Sequence, residues 1–469
     1  MAEVERKTLS ANLQISDRAV SARPFRGLGA QMDAYIFDDT NRACGIMEDD
    51  LRLIARRVRA LRPGVGRLFV EVAWFNPSLD GISFVWDQPG YRNLVRQLHL
   101  LRETETQVNL VLFSPAPAVG CDREPVVRAM LAGLEHLIDT EACPHIRWLT
   151  LWNEPDSLFF HDSPLYRRIF GEQCATTKPP WSEYVRLNRL AHTELARRGR
   201  HPAVKLMVAD TVWGAPMRLE RMRLCLNAFA DLDVAYGYHN YNPENLDFYA
   251  SNGDYAYAGM AAEAAAFREL LGPDRELMIW EFNTAGTVGF STFFLGVGPG
   301  GEDRVSSLAG AVDVADKVLA GLASGLDGFC LWCLHDLVYM GNLHVGFMPC
   351  GLWRYKVQQW LPRPLYHYYA ALMDAFRPGA RLHVVQGCPA GVRALAGIAG
   401  DSQTLAVLNT GPTVVTIHVR WQDGAMRLRI APAFLPVASD LPIATFTPQP
   451  VVGGEITLEL EPMELSVIR

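Results

Sequence analysis

The 469 residues carry no basic excess: 44 Lys and Arg stand against 51 Asp and Glu, a net charge of −7. A surface of that sign does not collect phosphate backbones, so no nucleic-acid partner is expected. Long apolar runs are missing as well. No stretch approaches the ~18 residues that a membrane-crossing helix needs, so no membrane partner is expected. The opening MAEVERKTLSANLQ has no apolar h-region, which argues against a secretory signal. Cysteines are few and unpaired in pattern. The nine of them (44, 121, 143, 174, 225, 330, 333, 350 and 388) are scattered and odd in number, which predicts reduced thiols and a cytoplasmic setting rather than a disulfide framework. Cys330 and Cys333 form a lone CxxC inside the apolar run GFCLWC. Residues three apart on a strand point to opposite faces, so core packing is expected there rather than metal or redox chemistry.

What is present is an alternation. Eight short apolar, β-branched runs occupy 24–32, 65–74, 107–115, 146–154, 203–210, 232–241, 276–282 and 325–334. Helix-patterned segments lie at 48–61, 91–103, 124–139, 182–199, 217–230, 258–272, 312–324 and 365–376, with apolar residues at i, i+3, i+4 and i+7. Strand-then-helix units imply parallel strands with right-handed crossovers, and eight such units close a barrel. A doubly wound sheet is disfavoured because no GxGxxG follows the first strand. The Gly cluster GVGPGG (296–301) opens no phosphate-binding helix and reads as a loop.

After Phe376 the pattern changes to short strands separated by Gly, Pro and Asp turns. The predicted class is therefore α/β: a (β/α)8 TIM barrel over 24–378 with a small antiparallel β-sandwich over 379–469. The strand-like LQISDRAVSA (13–22) in the leading segment 1–23 is expected to pair with that sandwich, since a free strand would leave its edge groups unpaired. Trp421 is the only tryptophan of the terminal domain, which favours a packing role over a sugar-binding platform.

Barrel chemistry sits at the C-terminal strand ends. The fourth strand ends in Trp152-Asn153-Glu154-Pro155 and the seventh in Trp280-Glu281-Phe282. Two carboxylates three βα units apart then face each other across the mouth. Glycoside hydrolysis needs such a pair, one group protonated to release the leaving oxygen and the other ionised to attack the anomeric carbon. Like charges held close push their pKa values apart, which permits that division near neutral pH.

TLWNEPD on the fourth strand followed by IWEF on the seventh resembles the clan A glycoside hydrolases, retaining (β/α)8 enzymes with the acid/base on strand four and the nucleophile on strand seven. The resemblance covers roughly 24–378. It implies Glu154 as acid/base, Glu281 as nucleophile, and a carboxyl separation of about 5–5.5 Å. It further implies that Arg67 on strand two contacts a carboxylate, with Glu281 as the natural partner and Glu71 as the alternative, because a buried Arg needs one. His239-Asn240-Tyr241 matches the clan's His-x-Tyr, with the tyrosine hydroxyl on the nucleophile. Asn153 would bind the sugar 2-hydroxyl, and Trp332 on strand eight would floor the sugar subsite. Ser114-Pro115 departs from the His that some clan families carry after strand three, which counts against the cellulase-like branch. The leading strand and terminal β domain resemble the glucocerebrosidase and β-xylosidase layouts.

Rim position alone nominates Gln31, Asp33, Trp74, Trp213, His335 and Asp336 for sugar hydroxyl contacts. The long segments 284–306 and 336–364, the latter with Trp353, Tyr355 and Trp360, suggest walls around a pocket and exo-action on a terminal sugar. No metal or organic cofactor is implied, since acid, base and nucleophile are all side chains. The expected partner is a carbohydrate or glycoside. Two rivals stand beside hydrolysis: a transglycosidase using the same two glutamates, and a non-catalytic glycan-binding barrel. Sugar, linkage, aglycone and oligomeric state are not legible.

Overall fold

The computed structural model describes residues 9–36, 38–112, 122–157, 180–212, 215–241, 255–284, 304–341, 344–421, 424–432, 435 and 446–469. Strand β1 (Leu9–Ala19) leads into a closed parallel barrel of eight strands. These are β2 (Gly27–Gln31), β3 (Val65–Val70), β4 (Gln107–Leu112), β5 (Ile146–Thr150), β6 (Lys205–Thr211), β7 (Ala235–Asn240), β8 (Leu277–Phe282) and β9 (Gly328–Leu331). Each of the eight runs predicted as a strand overlaps one of them, so the barrel expectation holds. The strands are buried on both faces, as a sheet covered by helices must be.

After a short α1 (Asp39–Ala43), the covering helices are α2 (Glu48–Leu61), α3 (Pro89–Glu103), α4 (Glu124–Asp139), α5 (Trp181–Arg197), α6 (Ala215–Ala228), α7 (Tyr255–Leu271), α8 (Leu308–Ala323) and α9 (Pro364–Ala375). Helix α2 shows why they form. Leu51, Ile54, Val58 and Leu61 share one buried stripe, and Arg62 in the left-handed region stops the helix with its N–H on the Val58 carbonyl. Each buried aliphatic side chain contributes about 1.5–3 kcal/mol.

The barrel floor is filled by Val65, Trp148, Met207, Ala235, Met278, Trp280 and Cys330. Trp148 and Trp280 meet edge to face at 5.2 Å. Gly237 makes room for them: a Cβ there would lie 2.6 Å from Trp280 Cδ1. Cys330 therefore packs inside the barrel, whereas Cys333 joins a separate cluster at the mouth, where its Sγ lies 3.6 Å from that of Cys350. The CxxC does not converge.

A hairpin, β10 (Leu337–Gly341) and β11 (His344–Met348), follows the last barrel strand. Beyond α9 come β12 (Arg381–Gln386), β13 (Val392–Ala399), β14 (Ser402–Asn409), β15 (Val415–Arg420), β16 (Met426–Ile430), β17 (Thr447–Pro448), β18 (Glu455–Leu460) and β19 (Leu465–Ile468). Their order is β17-β16-β19-β14-β13-β12-β1-β15-β18. Strand β1 sits between β12 and β15. Its first half runs parallel to β15, from Leu9↔Val415 to Leu13↔Val419. From Gln14 onward it pairs antiparallel with β12, with a register shift between Ile15 and Ala19. The antiparallel domain expected from the sequence thus contains one parallel pairing, made by an inner strand that comes from the other end of the chain. Leu13, Val419, Trp421, Ile456 and Leu458 share its core. Helix α9 joins the two parts: Tyr369 Oη donates to the Gly29 carbonyl of β2, and the Ala375 carbonyl accepts from Thr404 of β14. No helix among the described residues is long and apolar enough to cross a membrane.

Candidate active site

Gln31 and Arg67, then Arg67 and Asn109, are paired in register across β2, β3 and β4. This level forms a polar layer in the upper barrel. Arg67 is fully buried at its centre and spends its donors on four groups. Nη1 reaches Gln31 Oε1 at 2.8 Å and makes a short ion pair with Glu281. Nη2 reaches Asn153 Oδ1 at 2.6 Å and Asp210 Oδ2 at 3.0 Å. Arg67 thus meets Glu281 and Asp210, not Glu71, whose Oε1 instead accepts from the Tyr35 hydroxyl at 2.7 Å.

Burial raises the Glu281 carboxyl, and the Glu154 charge adds to that. His239, Arg67 and the Tyr241 hydroxyl oppose it. The Tyr241 hydroxyl donates to Glu281 Oε2 at 2.5 Å, and burial beside that carboxylate holds its own pKa well above the ordinary phenol range. His239 lies between the two glutamates. Its Nδ1 is 3.0 Å from Glu154 Oε1 and 3.5 Å from Glu281 Oε2, and its Nε2 is 3.0 Å from Asp210 Oδ1. Burial alone would neutralise the ring, but Glu281 and Asp210 outweigh it and lift the imidazole to about 10. Burial likewise pushes Asp210 up, and His239 and Arg67 more than reverse it, holding Asp210 below the usual carboxylate range. Arg67 and His239 thus face three carboxyl groups, those of Glu154, Asp210 and Glu281.

Glu154 is the exposed member, its side chain 28% accessible against 5% for Glu281. It follows β5 in a turn and adopts φ 46°, a conformation that a non-glycine residue holds only when its surroundings impose it. The surroundings are visible. The Asn153 N–H donates to the Leu112 carbonyl at 3.2 Å. Asp156, fully buried, accepts from the Val212 N–H at 3.1 Å and pairs with the equally buried Arg221. One side-chain oxygen of each glutamate and one nitrogen of His239 lie within 4.8 Å of one another. Among the described residues this is the one convergence of three potential metal ligands. Arg67 pairs with Glu281 at the same point.

Around the cluster lies an apolar collar of Phe69, Val111, Tyr241 and Trp332, with half-buried Tyr35, Trp74 and Val212 packed against it. Trp332 and Phe69 are 5.6 Å apart. Trp74 meets Tyr35 edge to face at 5.5 Å.

The structure therefore brings Glu154, Glu281, Asn153, Arg67, His239, Tyr241 and Gln31 together, with Trp332 and Trp74 in the collar. Other nominees go elsewhere. Asp33 holds the Tyr35 N–H with Oδ1 and, with His335, lines a cleft of about 600 Å³ between α2 and α3. His335 Nδ1 is spent on the Asp336 carbonyl, and burial pushes the ring down to about 4. Asp336 is gripped by both Nη atoms of Arg363. Trp353, Tyr355 and Trp360 are buried against α1 and α2, where Trp360 Nε1 donates to Asp50 and Tyr355 Oη to Asn41, so they form no wall of the mouth. Trp213, Ser114-Pro115 and residues 285–303 lie outside the described residues.

Sequence reasoning missed Asp210. Its signal was weak: the strand run AVKLMVAD ends on it, but a register shift between Ala209 and Thr211, with φ 75° and 44° at Ala209 and Asp210, is what turns it into the cluster.

No protein-family model and no curated protein matches the sequence. The fold has relatives among solved structures. A GH30 endoxylanase from Clostridium papyrosolvens C71 superposes with a TM-score of 0.62 at 12% identity, over 97% of this chain and 99% of that one. The catalytic domain of GH30 xylanase C from Talaromyces cellulolyticus gives 0.63 at 12%, over 98% and 99%. A family 51 α-L-arabinofuranosidase from Bifidobacterium longum gives 0.61 at 14%, over 98% and 98%. At these identities the likeness is one of fold: an eight-stranded parallel barrel carrying a β domain, shared along nearly the whole chain.

Proposed function

We propose that the chain is a retaining glycosidase acting on a terminal β-linked sugar. The observation that carries this reading is the pair Glu154, just after the fourth barrel strand, and Glu281, on the seventh, with oxygens within 4.8 Å across a shared histidine. Double displacement calls for carboxyl groups about 5–5.5 Å apart, whereas single displacement calls for roughly 6.5–9.5 Å. The glycoside-hydrolase fold relatives support the same reading.

In this mechanism Glu281 attacks the anomeric carbon as the bond to the leaving oxygen breaks, and Glu154 gives that oxygen its proton. Glu154 then takes a proton from water, which attacks the anomeric carbon and releases Glu281. Arg67 and Tyr241 aim their donors at the two Glu281 oxygens, which favours the ionised nucleophile against the upward push of burial. Glu154, the exposed partner, reaches the leaving group. Asn153, its Oδ1 occupied by Arg67, keeps its amide N–H groups for a sugar hydroxyl. All seven described cysteines are free, which supports a cytoplasmic setting.

The test is a panel of nitrophenyl glycosides, both anomers, with wild type and Glu281→Gln. One β-glycoside, or an α-L-arabinoside of equivalent stereochemistry, should turn over with retention. The variant should lose at least about 10³-fold in kcat, as removal of a covalent nucleophile does. Inversion, or full activity in the variant, would refute the mechanism.

A further inference from the structure

One carboxylate at the mouth has no place in the mechanism above. Arg67 and Phe69 both face the barrel interior: the guanidinium lies 4.9 Å from the Phe69 ring centre, and Phe69 packs on Trp332. Side chains alternate along a strand, and Glu71 keeps extended dihedrals (φ −100°, ψ 122°), so it is the next inward position. It stands one pleat above Phe69, about 7 Å along the strand, roughly the span of one sugar ring. The bond from the Tyr35 hydroxyl places its head beside the collar formed by Tyr35, Trp74, Phe69 and Trp332. It is half-buried, and among the described residues it has no cationic partner and no further side-chain partner.

We propose that Glu71 is the specificity-determining residue of the sugar subsite, its Oε2 accepting hydrogen bonds from hydroxyls on the sugar edge remote from the anomeric carbon. The proposal rests on the glycosidase reading and narrows it. A sugar with C1 at Glu281 and its apolar face on Trp332 and Phe69 directs its far edge to Glu71. A carboxylate there accepts from free hydroxyls and leaves no donor for a glycosidic or O-methyl oxygen, which only accepts. The substrate class is therefore an unsubstituted terminal sugar, and the action is exo. Tyr35 is the positioning residue that fixes the carboxylate by one oxygen and leaves the other for the sugar.

The experiment compares wild type, Glu71→Gln, Glu71→Asp and Tyr35→Phe on the preferred nitrophenyl glycoside and on its singly deoxygenated and O-methylated analogues. Glu71→Gln should raise KM about tenfold or more on the parent with kcat within about threefold, and melt at the wild-type temperature. Wild type should suffer a similar loss on one deoxy analogue, and the two losses should not add. Tyr35→Phe should raise KM in the same direction by less, and Glu71→Asp should recover part of the loss. An unchanged KM in Glu71→Gln, or an equal penalty on every analogue, overturns the proposal while leaving catalysis by Glu281 intact. Should wild type turn over nothing in the panel, the glycosidase reading fails separately. Calorimetric titration with glucose, galactose, xylose and arabinose then decides Glu71: tighter binding to wild type than to Glu71→Gln supports it, and equal or absent binding overturns it.

Discussion

Asp33 is an acid buried without a cation. The residue is 2% exposed, its Oδ1 holds the Tyr35 N–H, and among the described residues it forms no ion pair. Burial raises its pKa from 3.8 to about 8, against the pull of that backbone N–H. The unfolded chain gives up this proton near the ordinary value, whereas the folded chain keeps it until about pH 8. Wild type therefore loses stability as pH rises through that window. Asn retains the acceptor and does not titrate. Asp33→Asn should match wild type near pH 4 and melt at a progressively higher temperature towards pH 8, as read by circular dichroism across buffers. A constant difference across that range would mean that Asp33 ionises in the folded protein. Asp33 also shows where a strand-end rule fails. Rim position nominated it together with His335, yet both face the cleft between α2 and α3. The fate of a side chain two residues past a strand depends on the turn, which hydropathy does not encode.

The elements were legible because burial imposes period on them. Strands buried on both faces show as unbroken apolar runs, and helices show one stripe, as in α2. The meeting of Glu154 and Glu281 at the mouth was legible for a related reason: a strand that closes a barrel must deliver its end there. What was not legible were departures from period. The bulge at Ala209 and Asp210 uses two positive φ values at non-glycine residues, and nothing in the composition of AVKLMVAD announces it. Gly237 shows a close approach at the scale of one element. The Trp280 indole occupies the space where its Cβ would go, and Trp280 immediately precedes Glu281 on β8. Gly237→Val should lower the denaturation midpoint by the equivalent of about 1–3 kcal/mol and depress kcat through the displaced neighbour of Glu281. Unaltered stability and kcat would mean that β7 and β8 separate at little cost.

The terminal β domain is completed from the opposite end of the chain. Strand β1 pairs on one side with β12 and on the other with β15, and its Leu13 enters the core shared by Val419 and Trp421. Without it two inner strands become open edges, which invites association with other chains. A chain lacking residues 1–20 should elute as aggregate in size-exclusion chromatography and lose cooperative melting. A monomeric, cooperatively melting truncate would show that the remaining strands close without it. Removing 379–469 should likewise cause misfolding rather than weaker substrate binding alone, because α9 packs on β14 as well as on β2.

The same pairing bears on biosynthesis. Leu9 to Leu13 must wait for Val415 to Val419, so roughly 400 residues emerge first, which at about 5–20 residues per second takes roughly 20–80 s. For that interval the nascent chain presents an unpaired β-edge while the barrel assembles behind it. Ribosome-associated holdases have a long opportunity at this segment, and a domain that leaves the ribosome late retrieves a strand made early.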